Sequence, residues 1–468
     1  MLFSSMTFLW IFLPIVITVT ILLKKVKYQN IFLMFASLFF YAWGEPVYVI
    51  LMLFSIALNW TTALLMDKFK SHKGILLVLC IFINLSLLGY FKYYNFFAGS
   101  VNKLFSAEVM AFKDIALPIG ISFFTFQTLS YVIDFYRGNC KLQKNILNMA
   151  LYVSFFPQLI AGPIVRYKDI DRQIESRSMS AEKFALGLRR FTYGLGKKVI
   201  ISNCCAEIVD LLFALDVNDM ATVTLWIAAV LYTLQIYYDF SGYSDMAIGL
   251  GRIFGFEFLE NFDYPYLSRS VHEFWQRWHI SLGTWFREYV YIPLGGNRKG
   301  NMRTYINLVI VFFLTGMWHG ASWNFIFWGM YHGCFQIIER LGFKKILKKF
   351  PLLSHIYLLL VVVIGWVFFR VESLQQAMNI AARMVMPWQY TLFDATELML
   401  YFSARKVIVV LCGIVGAGLI QQIAKKWPSF KSRWQHSCAE TVFCAFVLFY
   451  SILQLVSGTY NPFIYFRF

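Results

Sequence analysis

Four histidines, His272, His279, His319 and His332, fall within the 61 residues from 272 to 332. Histidine changes protonation near neutral pH, which suits it to general acid–base chemistry. His319 has the strongest claim to such a role. It stands in Gly316-Met317-Trp318-His319-Gly320-Ala321-Ser322-Trp323-Asn324, at the centre of an apolar run from about Tyr305 to Phe335. An ionisable group at membrane depth is expensive to keep, so such a residue is a functional candidate by default. Its chemistry would be removal of a proton from an acceptor hydroxyl. The competing reading is a histidine hydrogen-bonded between helices for packing.

The remaining candidates are weaker. His272 and His279 lie seven residues apart and share one face of a helix, with Trp275 and Trp278 between them and Glu273 and Arg277 as an i, i+4 pair. That face either lines a polar cavity or rests on the membrane surface. The spacing makes a poor zinc site without a third ligand, so no metal is expected. His332 reads as a structural bond between helices, His355 as an interface residue, and His72 and His436 as solvated. Asp239, Ser241 and Asp245 form a polar group for which ion pairing with a nearby arginine is the default and a paired-carboxylate site the alternative. The run Ile292-Pro293-Leu294-Gly295-Gly296-Asn297-Arg298-Lys299-Gly300 could hold a donor phosphate through backbone N–H groups, Arg298 and Lys299. A plain cytoplasmic turn explains it equally well. No GxSxG elbow or P-loop supports a hydrolase triad or nucleotide hydrolysis.

What positions these residues is a membrane. The 468-residue chain is 59% hydrophobic and only 14% charged, with mean hydropathy +0.60. A soluble chain carries nearer a quarter charged residues. The fold class expected is all-α: a polytopic membrane protein of about ten to twelve spanning helices plus re-entrant and interfacial helices. The net charge of +17 clusters in short loops such as Lys24-Lys25-Val26-Lys27 and Lys344-Lys345-Ile346-Leu347-Lys348-Lys349. That is the pattern of cytoplasmic loops, and no motif for nucleic acid accompanies it. The eight cysteines form no CxxC pair, and those in apolar runs (Cys80, Cys334, Cys412, Cys444) read as small buried hydrophobes.

Crossings are expected near 6–23, 30–43, 47–66, from Gly74 to about Phe91, and near 186–213, 221–238, 352–369, 405–423 and 438–457. Basic loops alternate with the Glu45 loop, which places the N-terminus outside. Residues 114–166, punctuated by Pro118, Gly120, Pro157, Gly162 and Pro163, read as broken helices covered by protein. Residues 239–303 read as short or interfacial helices. The whole is expected to be one membrane domain, 1–468, with its motif region at 272–332.

The segment 304–338 has basic residues on both sides: Arg298, Lys299 and Arg303 before it, Arg340, Lys344 and Lys345 after it. If both ends are cytosolic, the chain enters and returns. Two arms of about 15 residues, roughly 22 Å each, would be shorter than the hydrocarbon and would leave His319 at a turn inside it.

Several longer blocks carry a resemblance. Glu273-Phe274-Trp275-Gln276-Arg277-Trp278-His279-Ile280-Ser281-Leu282, Arg287-Glu288-Tyr289-Val290-Tyr291-Ile292-Pro293-Leu294-Gly295-Gly296-Asn297-Arg298 and Met317-Trp318-His319-Gly320 resemble the membrane-bound O-acyltransferase (MBOAT) family. So do Leu117 to Phe123, Phe156 to Arg166 and the end, Pro462 to Phe468. The likeness covers nearly the whole chain. It points to the bacterial branch that serves alginate O-acetylation and D-alanyl transfer to teichoic acids, and favours the alginate-like side. The resemblance implies a helical fold with a thinned centre, where a cytosolic and an outer cavity meet at a histidine matching His319, with His279 as the second family histidine. It also implies a cytoplasmic acyl donor, acetyl-CoA, with a carrier-protein thioester as the alternative, and no bound cofactor. The expected partner is a secreted or membrane-anchored polysaccharide O-acetyltransferase, and the expected location the bacterial cytoplasmic membrane. A transporter that moves an acyl or lipid-linked substrate without bond chemistry remains the rival reading.

Overall fold

A computed structural model of the chain describes residues 1–394, 401–427, 429, 434, 437–458 and 460–464. His436 lies outside the described residues. The described residues form helices, turns and loops, with no strand. Among the described residues, six helices are long and apolar enough to cross a bilayer: Val49–Lys68, Lys70–Phe105, Thr222–Ile253, Pro351–Arg370, Ala404–Lys426 and Cys438–Ser457. Others are shorter, such as Phe8–Leu22, or interrupted. This is the expected all-α membrane architecture. Cys80 and Cys444 are buried as their apolar runs imply, whereas Cys334 and Cys412 lie on the outside of their helices.

Contacts divide the chain into two compact units. The first comprises residues 1–191, 244–260 and 287–289. Its membrane helices are joined by buried polar side chains: Asn59 Nδ2 donates to Asn84 Oδ1 over 3.1 Å, and Asn84 Nδ2 returns a bond to Asn59 Oδ1 over 3.3 Å. Such amide pairs join helices that have no hydrophobic drive to associate in lipid. The region read as broken is so: Ile146–Ser154 is followed by the four-residue helix Phe156–Leu159, and residues 111–118 form no helix.

The second unit comprises residues 192–243, 261–286 and 290–468, and holds all four clustered histidines. The crossing expected to end near 238 runs on instead to Ile253, a 32-residue helix. Hydropathy lost it because Asp239, Ser241, Ser244 and Asp245 are polar, yet all are buried. The expected crossing at 186–213 is a helix interrupted by a π-turn at Lys197–Ser202, and that turn points Lys198 into the protein, 2.6 Å from Asp239.

The segment 304–338 does turn back on itself. Helices Gly300–His319 and Trp323–Ile338 pack as a hairpin, with Gly320 in extended conformation at the turn. A Cβ on Gly316 would collide with the Phe325 carbonyl, and one on Gly329 with the Phe312 carbonyl. Glycine at both positions lets the two backbones touch. The arms are unequal, at 20 and 16 residues, because the first helix starts among the basic residues at Gly300. At about 30 Å, that first arm matches the hydrocarbon thickness, so arm length alone does not fix the depth of His319.

Candidate functional site

Two of the four histidines meet. The His279 and His319 rings are 6.5 Å apart between centroids, tilted by 64°. Trp318 lies against both, at 5.7 and 4.9 Å. Trp328 and Phe369 stand edge-on to His319 at 5.0 and 5.2 Å. Both histidines are buried, at 1% and 5% exposure.

Each histidine is placed by a local device. His319 ends its helix, and the extended Gly320 turns the chain away. His279 sits between the short helices Val271–Arg277 and Ile280–Phe286 with φ of 46°, in the left-handed region that a residue with a Cβ enters only under strain. Strain of this kind persists where the surroundings over-determine it, and it concentrates at functional sites. Here the surroundings are Asn261. Its carbonyl accepts from Ile280 N over 2.9 Å, while its Oδ1 accepts from Ser281 Oγ at 2.8 Å and Ser281 N at 3.2 Å. The same Oδ1 lies 3.2 Å from His279 Nδ1. An oxygen that accepts from both Ser281 donors favours the tautomer with hydrogen on Nδ1, which leaves Nε2 of His279 as the basic nitrogen.

Beside His319 lies a small apolar cavity, about 10 Å³ for the centre of a water-sized sphere, bounded by Phe240, Trp278, Trp366, Phe369 and Ile464. The resemblance implies open cavities meeting at this histidine; the described residues place beside it a small chamber lined mainly by aromatic and aliphatic side chains, with Asp239 at its edge.

The other candidates are placed differently. His332 is fully buried between Trp275 and Trp328, 5.3 and 5.2 Å away, and neither ring nitrogen has a hydrogen-bond partner among the described residues. The expected helix–helix bond is therefore replaced by ring packing. His272 is partly exposed at 3.1 Å from Gln276 Nε2, and His355 Nδ1 lies 3.0 Å from the Ser268 carbonyl. Asp245 does pair with an arginine, Arg190, at 2.6 Å, but the partner of Asp239 is Lys198. Arg298 and Lys299 are on an exposed turn and do not line the chamber. In that turn the N–H groups of Gly295, Gly296 and Arg298 are spent on internal bonds, while Asn307 and Arg303 gather its carbonyls.

The sequence pattern does not single out Asn261 and Ser281, which orient His279, or Lys198, which falls inside an apolar crossing. Trp328 and Phe369 carry no signal of their own, because an aromatic residue in an aromatic-rich chain is unremarkable until the fold places it.

Comparison with known proteins gives the family. A model of the MBOAT, membrane-bound O-acyltransferase, family matches residues 143–375. The chain is 40% identical to the probable alginate O-acetylase AlgI of Pseudomonas putida, over 100% of both chains. It is 35% identical to the peptidoglycan O-acetyltransferase of Helicobacter pylori, over 82% of this chain and 80% of that one. Similarity to the teichoic acid D-alanyltransferase of Bacillus subtilis is lower, 29% over 47% of this chain and 60% of the other.

Proposed function

Because the chain belongs to the membrane-bound O-acyltransferase family, we propose that it moves an acetyl group from a cytoplasmic thioester, acetyl-CoA, to a hydroxyl destined for an extracytoplasmic glycan. It is an O-acyltransferase, and its relatives named for alginate and peptidoglycan O-acetylation favour acetyl as the group and a polysaccharide as the final acceptor. A secreted or membrane-anchored transferase would complete delivery. The location that fits is the bacterial cytoplasmic membrane, N-terminus outward, with the lysine loops in the cytosol.

The observation that carries this reading is the pair of buried imidazoles 6.5 Å apart beside a small apolar chamber. His319 takes the proton of the acceptor hydroxyl as its oxygen attacks the thioester carbon. His279, through Nε2, orients that hydroxyl. The C–O bond forms, the C–S bond breaks, and the proton on His319 passes to the leaving thiolate. A thioester is already activated, so general-base catalysis, typically about 10²–10⁴-fold, and orientation are what the protein must supply. The aromatic walls exclude water that would otherwise hydrolyse the thioester. Arg298 and Lys299 are the proposed contact for the donor's phosphates.

The test is label transfer. Membranes containing the chain, given radiolabelled acetyl-CoA and a glycan acceptor, should place label on the acceptor. A transporter would move substrate without making that bond and would retain its activity when His319 is replaced.

A further inference from the structure

A second cavity of the same unit lies where two spanning helices end. Arg405 and Lys406 line it from the first turn of Ala404–Lys426, and Gln454 from the last turn of Cys438–Ser457. Asn203 and Glu207 line it from the helix Asn203–Leu212. Its volume is about 280 Å³, close to the lower bound of about 300 Å³ for small-molecule sites. Cys438–Ser457 has 20 residues, the length that spans the hydrocarbon, so groups at its end stand at headgroup level.

The polar groups of this cavity are unevenly paired. Lys406 meets Glu207 at 3.2 Å. Arg405 donates to the neutral Gln454 Oε1 over 3.0 Å and forms no ion pair among the described residues. Asn203 is 7% exposed, and its Nδ2 donates to Asn461 Oδ1 over 3.2 Å. Its own Oδ1 has no hydrogen-bond partner among the described residues. Buried polar atoms are nearly always paired, so an open acceptor on a cavity wall calls for a donor from a ligand.

We propose that this cavity binds the headgroup of an anionic phospholipid, with the phosphate on Arg405 and a headgroup hydroxyl donating to Asn203 Oδ1. Arg405 and Lys406 against Glu207 leave one positive charge in excess, which matches a headgroup with one net negative charge, such as phosphatidylglycerol. What lies beside the cavity favours a lipid over a soluble anion. Ile408 and Cys412 follow Arg405 at i+3 and i+7 on one helix face, and both are exposed. Leu453 and Val456 are exposed on the other helix. Acyl chains of the bound lipid would lie along these side chains, where a soluble acidic sugar would gain nothing. Basic pockets between spanning helices are a general form of headgroup site. The inference goes beyond acyl transfer and uses only the reading of these helices as membrane spans.

The experiment follows the melting temperature of the purified full chain in a neutral detergent. Phosphatidylglycerol should raise it to a plateau, while phosphatidylethanolamine and soluble glycerol phosphate should raise it little. Arg405 is exposed, so Arg405→Gln should leave the fold intact. It should weaken the apparent affinity for phosphatidylglycerol about tenfold, the scale of one hydrogen bond to a charged group. Lys425→Gln removes the same charge at the opposite end of that helix and should leave binding unchanged. Equal losses in the two variants would mean diffuse attraction to surface charge and would overturn the site. A flat response to phosphatidylglycerol, or glycerol phosphate acting as strongly as the lipid, overturns it as well. An Arg405-dependent rise with a uronic acid oligosaccharide, and none with phosphatidylglycerol, would assign the cavity to a glycan instead.

Discussion

Buried ionisable groups are treated in opposite ways in two regions of this molecule. In the first unit they are neutralised by contact. Arg166 lies 2.6 Å from Glu288 and 2.8 Å from Asp169, Lys168 lies 2.6 Å from Glu288 and 3.5 Å from Asp134, and Tyr289 donates to Asp134 over 2.6 Å. In the second unit, His279, His319 and His332 are packed against aromatic rings. Charge meeting charge fixes a fold. A neutral imidazole retains a basic nitrogen, the state a proton-accepting group needs. The same contrast separates Asp239, locked to Lys198, from His319 across one small chamber.

Breaking the ring-wrapped region should cost the most. His319→Ala should lower acetyl transfer by about 10²–10⁴-fold while the amount of folded protein in detergent is retained. Transfer at the wild-type rate would end the distinction drawn here. Asn261→Ala should come next. It removes the oxygen shared by His279 and Ser281, about 1–2 kcal/mol of orientation, and should cut kcat roughly tenfold with donor KM unchanged. A change confined to KM would mean that Asn261 serves binding.

The ion-paired region should fail in stability instead. Arg166→Ala removes one of the two cations on Glu288 and the guanidinium on Asp169, and should cost about 1–3 kcal/mol, read as a lower melting temperature at unchanged rate per folded molecule. Burial pushes the Glu288 carboxyl up, but Lys168 and Arg166 outweigh it and hold the carboxyl below its ordinary value. A lowered carboxylate contributes stability above its unfolded pKa and loses it as pH falls through the folded one. The melting-temperature gap between wild type and Glu288→Gln should thus be constant near neutral pH and close in acid. A gap that widens in acid would reverse the sign and refute the pairing. The smallest effect belongs to the exposed turn. Arg298→Ala combined with Lys299→Ala should raise donor KM about two- to threefold, the scale of solvent-exposed charge contacts, and less at high salt.

Much of the site was legible in the chain. His319 stood out because an ionisable residue within an apolar run has few explanations, and the basic flanks of 304–338 announced the hairpin. His279 was found with a fair claim, but its partner was not, since Asn261 lies 18 residues earlier in an unremarkable loop. The helix through Asp239 and Asp245 was cut short because hydropathy scores a buried carboxylate as a surface residue, blind to the Lys198 or Arg190 that neutralises it.

By itself, then, the order of residues determined the membrane environment, the helical class, the returning segment and the histidine at its turn. Those follow from local hydrophobicity and charge, which act over neighbouring residues. The folded arrangement alone decided that His279 faces His319, that Asn261 sets the ring of His279, and that Ile464 lines the chamber beside His319. Such contacts join residues far apart in the chain: the Ile464 N–H donates to Asp239, 225 positions away. Their energy depends on distances that no local pattern encodes.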